Sequence, residues 1–265
     1  MLKEERLAEI LDIINQKNYV NIKELQSLTN SSESTIRADL VELANDKKII
    51  RLHGGAQALN KNSISYELSI QDKMEIQVDA KKNIAEYAAK LIENNSTIYI
   101  DAGTTTYYLA DYITAKNVTI VTNSVIIARR FKVKGYQVYV IGGEYKLKTE
   151  AFIGTVAKEM LAKFHFDSSF IGCNGIDLES GFTTPDIEEA LIKGQAMNQS
   201  SNSYILADHS KFDVKTAVRF YGFEGTKIIT DVITNKKYLE KGIIEAKKKW
   251  FTQLHFLQLS IMSLT

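Results

Sequence analysis

The sequence predicts an α/β chain built in two parts, and three observations carry that expectation. Over residues 1–57, apolar residues recur at helical spacing in three short blocks and then give way to a hairpin signal ending in Gly54-Gly55. From about residue 97 onward, short β-branched runs alternate with helical patterns, as they do in a mostly parallel sheet covered on both faces. The chain has 265 residues, 45% of them hydrophobic, which is enough apolar material for two separate cores.

The N-terminal elements follow from periodicity. Leu7, Ile10, Leu11 and Ile14 mark a first helix. Asn21-Ile22-Lys23-Glu24 has the form of a capping box built on Asn, opening a second helix whose Ile22, Leu25 and Leu28 are expected to face inward. Asn30, Ser31 and Ser32 make a turn into a third helix over 34–44, where Ile36, Leu40 and Leu43 fall at i, i+4 and i+7. Ser34, Arg37, Ala38 and Val41 are left on the opposite face. Ile49-Ile50-Arg51-Leu52-His53-Gly54-Gly55-Ala56 then reads as a hairpin with a basic tip, its glycines serving either a turn with φ > 0 or a close contact.

Three helices and a hairpin make a winged helix-turn-helix, with 34–44 as the recognition helix. In such a unit the N-terminal residues of that helix enter the major groove, and Arg is the side chain best matched to guanine O6 and N7. Arg37 is therefore the expected base contact. Ser34, Thr35, Ala38, Lys48, Arg51 and His53 complete the expected DNA-facing set. Net charge lends no help, since residues 1–57 carry eight basic against nine acidic side chains. Clustering does: Arg37, Lys47, Lys48, Arg51 and His53 lie on the recognition helix, its exit and the wing. Binding to double-stranded operator DNA is expected to rest on a few contacts, doubled by dimerisation, and to weaken steeply with salt. The bland alternative is a small helical module with Arg37 as a solvated charge.

Residues 58–79 lose their period and read as a linker between the DNA-binding domain at 1–57 and a second domain at 80–245. A helix begins near Lys81, carrying Ile84, Ala85, Ala88, Ala89, Leu91 and Ile92. Strands are expected at 97–100, 118–121, 137–141, 169–171, 203–206 and 227–229, and helices at 107–113, 155–164 and 188–199. The ligand of such a sheet belongs at the carboxyl ends of its strands. Five polar or Gly-rich turns sit there: Asp101-Ala102-Gly103-Thr104-Thr105-Thr106, Thr122-Asn123-Ser124, Gly142-Gly143-Glu144, Gly172-Cys173-Asn174-Gly175-Ile176-Asp177 and Asp208-His209-Ser210-Lys211. The first is expected to open a helix, so that backbone N–H groups, the helix dipole and hydroxyls converge on an anion such as phosphate.

These pieces resemble the DeoR family of bacterial transcriptional repressors. The recognition segment Thr35-Ile36-Arg37-Ala38-Asp39-Leu40 and the wing Arg51-Leu52-His53-Gly54-Gly55-Ala56 are similar to that family's DNA-binding domain, with Ala38 where the family has a second Arg. The turns at 101–105, 121–123, 142–143, 172–177 and 208–212, with Glu189-Ala190 and Lys193, are similar to its effector domain. The resemblance implies a C-terminal Rossmann-like sheet related to ribose-5-phosphate isomerase, and a repressor of sugar uptake or catabolism controlled by a phosphorylated sugar. Within that implication, the phosphate lies against Gly103, Thr104 and Thr105, near Gly143. Asp101, Asn123, Asp177 and Glu189 bind sugar hydroxyls, and Asp208-His209-Ser210-Lys211 brings the Lys211 charge.

Two rival readings stand beside this one. A sheet with Asp, Glu and Lys at its strand ends suits a sugar-phosphate isomerase-like enzyme with an appended DNA-binding domain. The recognition helix argues for a regulator and against an enzyme. A third reading makes the C-terminal domain an oligomerisation module only, which leaves its polar turns unexplained. A homo-oligomer, dimer or tetramer, is expected in any case. Cys173 is the sole cysteine, no metal-ligand spacing occurs and no cofactor is expected. With no signal region and no apolar run long enough for a membrane, a cytoplasmic location is expected. Residues 246–265 read as an atypical tail: either an added strand or helix, or an altered reading frame that would remove the sheet's last strand.

Overall fold

A computed structural model describes residues 2–17, 19–46, 48–52, 54–58 and 69–246. The N-terminal unit runs α1 (Lys3–Lys17), β1 (Tyr19–Asn21), α2 (Ile22–Thr29), α3 (Glu33–Asn45), β2 (Ile49–Leu52) and β3 (Gly55–Ala58). Asn21 caps α2, its side-chain oxygen accepting from the Glu24 N–H at 2.8 Å. The Glu24 carboxylate turns instead to Lys17, so only half of the capping box forms. Asn30 ends α2 in the left-handed region at φ 49°, and Ser32 caps α3 by accepting from the Thr35 N–H at 3.2 Å. The recognition helix thus begins at Glu33, one residue before its expected start.

Ile36, Leu40 and Leu43 are buried with Ile10, Ile14, Val20 and Leu25 in one core. Leu28 is not part of it: the residue is 47% exposed, and Thr29 takes the inward position, its hydroxyl donating to the Leu25 carbonyl at 2.7 Å. Within the same core, Asp39 is 2% exposed and accepts from Nε of Arg6 on α1 at 2.6 Å, tying the first helix to the third. β1, β3 and β2 form a three-stranded sheet in that order. Gly55 is required there by close approach rather than by a left-handed turn, because a Cβ would lie 2.2 Å from the Val20 carbonyl oxygen. His53 and Lys47, expected on the DNA side, lie outside the described residues.

The C-terminal unit opens with α4 (Ile70–Glu75), a helix inside the stretch expected to be linker and too short to show a period, and continues with α5 (Val78–Ala89). Then come β4 (Thr97–Ile100), a 3-10 turn (Thr106–Tyr108), α6 (Leu109–Tyr112), β5 (Thr119–Thr122), α7 (Val125–Val133), β6 (Gln137–Val140), β7 (Glu144–Lys146), β8 (Ala151–Ile153) and α8 (Gly154–Leu161). The chain ends its described course with β9 (Phe166–Gly172), β10 (Gly175–Asp177), β11 (Gly181–Thr184), α9 (Ile187–Asn198), β12 (Ser200–Leu206), β13 (Val218–Tyr221), β14 (Thr226–Thr230) and β15 (Ile243–Glu245).

Seven strands form a parallel sheet in the order β15-β14-β12-β9-β4-β5-β6. Alternation along each strand separates two cores. Ile98, Ile100, Ile120, Leu206 and Ile229 pack under α5, α6 and α7, whereas Tyr99, Val121, Ile171, Ile205 and Ile228 pack under α8 and α9. Burial on both faces is why inner strands such as β4 and β5 read as apolar runs, whereas β6 at the edge is largely exposed. The tail beyond Ala246 lies outside the described residues, and β15 pairs with β14 as the outer strand on that side.

From β4 the chain winds outward through β5 to β6, then returns to β9 and winds the other way. Connections after β4 and β9 therefore leave in opposite directions, opening a crevice between the carboxyl ends of these two neighbours. In the N-terminal unit, Gly55→Ala should destabilise the wing sheet by about 1–3 kcal/mol and weaken DNA binding with it. Gly54→Ala should be tolerated, since its Cβ would meet nothing nearer than 3.9 Å. Chemical denaturation followed by duplex binding of both variants checks the pair.

Candidate functional site

The crevice is built around one buried charge pair. Asp101, at the end of β4, accepts from the Gly172 N–H at the end of β9 at 3.0 Å and from Nζ of Lys193 on α9 at 2.5 Å. Burial opposes the lysine's charge, but the carboxylates of Asp101 and Glu189 outweigh it, holding the Lys193 pKa above the ordinary value. A second buried carboxylate lies one turn earlier on α9. Glu189 Oε1 accepts from Lys146 Nζ at 2.9 Å and the Thr149 hydroxyl at 2.7 Å. Burial works against its ionisation, and Lys193 and Lys146 more than offset that, leaving its pKa below the usual carboxylate range.

Above this pair is a cleft of about 210 Å³, room for a small metabolite. Of the residues expected to hold an effector, Gly103, Thr104, Thr105, Glu189, Asp208 and Lys211 line it. Asp101 lies behind its floor, with both Lys193 and Gly172 bound to one carboxylate oxygen. Asn123 is buried and engaged with backbone, accepting from the Ala102 N–H at 3.0 Å and donating to the Phe152 carbonyl at 3.1 Å. It shapes the β4 turn and is not among the lining residues. Gly143 and Asp177 also stand outside the lining. A Cβ on Gly143 would come within 2.5 Å of the Ile153 carbonyl oxygen, so the residue serves a close crossing. Asp177 Oδ1 caps the β10–β11 turn, accepting from the N–H groups of Glu179 and Ser180.

The β4 turn differs from expectation in its hydroxyls and its helix. Thr106 turns inward, donating to the carbonyls of Asp101 and Gly103, so only Thr104 and Thr105 face the cleft. Where one helix was expected over 107–113, the chain makes a single 3-10 turn and the four-residue α6, which carries a smaller dipole than an unbroken α-helix of that length. Asp208 caps the 3-10 turn after β12, accepting from the Ser210 N–H at 3.0 Å. Burial alone would raise its pKa, but Lys211 and Ser210 lower it below the ordinary value.

Lysines dominate the lining: Lys73, Lys81, Lys193 and Lys211 stand against Glu189 and Asp208. Lys73 and Lys81 had no place in the sequence expectation. A signal for Lys81 existed, because with Ile84, Ala85 and Ala88 it completes the i, i+3, i+4, i+7 buried stripe of α5, an apolar position where a lysine needs a reason. Lys81 is 4% exposed, and its Nζ donates to the Lys73 carbonyl. Burial, then the neighbouring Lys211, lowers its pKa to about 8. Cys173 also lines the cleft, and burial pushes its thiol up to about 12. No His/Cys/Asp/Glu group able to hold a metal occurs among the described residues.

The residues expected to face DNA lie in the N-terminal unit. Ser34 and Ala38 are exposed on α3, Thr35 is half-buried with its hydroxyl 2.8 Å from that of Ser32, and Arg51 is exposed on β2. Lys48 pairs with Asp46 at 3.2 Å. Arg37 pairs with Glu33 one turn earlier, which the sequence reading did not foresee. Ile50, Gln57 and Ala58, from the strands of the wing, border the strand-end cleft.

Comparison with known proteins agrees with both halves. Residues 6–62 match the DeoR-like helix-turn-helix domain and residues 76–232 the DeoR C terminal sensor domain. The chain is 40% identical over 252 residues to the uncharacterized HTH-type transcriptional regulator FruR of Bacillus subtilis (strain 168), covering 94% of this chain and 100% of that one. It is 34% identical over 250 residues to the lactose phosphotransferase system repressor of Staphylococcus aureus, covering 91% and 99%. With the HTH-type transcriptional regulator IolR of Bacillus subtilis (strain 168) the identity is 33%, covering 84% and 88%. A solved ribose 5-phosphate isomerase from Plasmodium falciparum covers 51% of this chain and 52% of its own at 18% identity and a TM-score of 0.38, a likeness that carries no argument. The relatives are named as regulators and a repressor, in keeping with the regulator reading over the isomerase one. The protein is a member of the DeoR family of transcriptional regulators, with the family's helix-turn-helix domain ahead of its sensor domain.

Proposed function

We propose that the protein represses a sugar uptake or catabolism operon by binding double-stranded operator DNA, and that a phosphorylated sugar in the strand-end cleft controls this binding. The observation that carries the effector reading is the lining: with Lys193 held by Asp101 and Glu189 by Lys146, the cations Lys81 and Lys211 stand with Asp208 beside the Gly103-Thr104-Thr105 turn, which suits an anionic group. The phosphoryl group lies against this turn with Lys81 and Lys211 as its cations, and Glu189 and Asp208 accept from sugar hydroxyls. Asp101 acts through Lys193 rather than by touching the sugar. The names of relatives that regulate lactose phosphotransferase genes support the sugar class.

Arg37 reads a base pair in the major groove, with Ser34, Thr35 and Ala38 beside it on the recognition helix and Lys48, Arg51 and His53 contacting phosphates or the adjacent groove. Such units read two half-sites, which favours a homo-oligomer, dimer or tetramer. A DNA partner favours a cytoplasmic location, and among the described residues no helix is long and apolar enough to cross a membrane. Wing strands bordering the cleft give a ligand a direct means of shifting the DNA-binding unit.

The deciding experiment is duplex binding by purified protein at fixed salt, using DNA from upstream of its own gene, with and without a panel of sugar phosphates. One sugar phosphate should change the affinity, and Thr104→Val should abolish that response while leaving operator binding intact. Response to none of the panel would overturn the effector reading. Arg37→Ala should weaken specific binding by about 1–3 kcal/mol, and an unchanged affinity would remove the base contact.

Effector affinity should also depend on pH. The ligand-free protein loses the Lys81 proton as pH rises through about 8, whereas a phosphate dianion bound beside it favours the ammonium form. Binding above that pH must take up a proton, so the dissociation constant should rise by up to about tenfold per unit above it and be nearly flat from there down to about pH 6, where the phosphate itself takes up a proton. Lys81→Arg should flatten the profile, and calorimetry in buffers of different ionisation enthalpy measures the proton directly.

A further inference from the structure

The Glu33–Arg37 pair on α3 has a geometry of consequence for base recognition. Arg37 Nε and Nη2 both donate to the same oxygen, Glu33 Oε1, at 2.9 and 2.7 Å. These two nitrogens share the side edge of the guanidinium. The end edge, formed by Nη1 and the second N–H of Nη2, is left to solvent, and it carries the two parallel donors that match guanine O6 and N7. Both side chains are about half exposed, 54% for Glu33 and 43% for Arg37, and they share the outward face of α3 with Ser34, Ala38 and Val41. An exposed pair one turn apart contributes little to stability. It does remove rotamer freedom from a long side chain before DNA arrives, and thereby the ordering cost at the moment of contact.

Placement of the carboxylate adds a second effect. Glu33 is the first residue of the recognition helix, at the end that enters the groove, so its charge faces the phosphate polyanion on any duplex. The Arg37 guanidinium, bound to Glu33 by its side edge, offsets that charge on every duplex. Where guanine is missing, the end-edge donors that Glu33 holds in place are left unmatched, and that loss separates the wrong site from the right one.

We propose that Glu33 is a positioning and specificity residue of operator recognition: it holds Arg37 by one edge so that the other edge meets a guanine, and it penalises sites that lack one. This rests on the reading of Arg37 as the base contact. The test uses the full chain and a duplex selected by the wild-type protein from a randomised pool. Each G·C pair of that duplex is replaced in turn, and binding is measured at fixed salt for wild type, Glu33→Ala, Arg37→Ala and the double variant. Thermal melting confirms that each variant is folded.

Arg37→Ala should lose discrimination at one G·C pair of each half-site. Glu33→Ala should lose about twofold of discrimination at that same pair while binding unrelated duplexes as tightly as wild type or more tightly. The double variant should discriminate no worse than Arg37→Ala alone, as expected of residues acting as a unit. Full discrimination retained by Glu33→Ala, or an equal tightening on every duplex, would overturn the proposal while leaving Arg37 as the base contact. Unchanged discrimination in Arg37→Ala would overturn both.

Discussion

The C-terminal half of the protein depends on the contact between Asp101 and Lys193. Their charges come from the end of β4 and the middle of α9, 92 residues apart in sequence, and meet where the sheet changes direction. A lone charge in that position is costly, so each group is tolerable only because the other is there. The Gly172 N–H on the same carboxylate oxygen brings β9 into the arrangement. Three elements that diverge from the switch point are thereby held at one spacing, and the cleft above them has a fixed floor.

Much of this architecture is legible in the sequence because burial imposes period. Ile36, Leu40 and Leu43 are spaced as they are because one face of α3 packs on α1 and α2. All six expected strands are present: the inner ones are apolar because both of their faces are covered, and β6, largely exposed at the sheet's edge, is marked by its β-branched and aromatic residues Val138, Tyr139 and Val140. α4 and the β7–β8 hairpin were not legible, as six residues and two strands of three are too short to display a period. Leu28 and Thr29 show the limit from the other side: a hydroxyl that can donate to the Leu25 carbonyl is as admissible inward as a leucine.

For the cleft, sequence reasoning found the turns but could not apportion their side chains. Asp101, Asn123 and Asp177 look alike as polar residues after strands. Their partners separate them, since each is occupied by groups distant in sequence or by its own turn, and such partnerships leave no local trace. Lys81 is the converse case. Its position in the apolar stripe of α5 is visible in the sequence, but its meaning emerges only when Asp208 and Lys211 arrive from the end of β12.

The wall of the cleft also carries the chain's sole thiol. Cys173 is half-buried, packed against the core under α8 and α9 and bordering the cleft, and burial pushes its thiol up to about 12 although Lys211 and Lys193 work against that, so it carries almost no thiolate at neutral pH. Since the thiolate is the form that oxidants and alkylating agents attack, the residue behaves as a small hydrophobe. A thiol held in its protonated form is a poor target for oxidants and alkylating agents, so the wall that carries it is slow to follow the redox state of the surroundings.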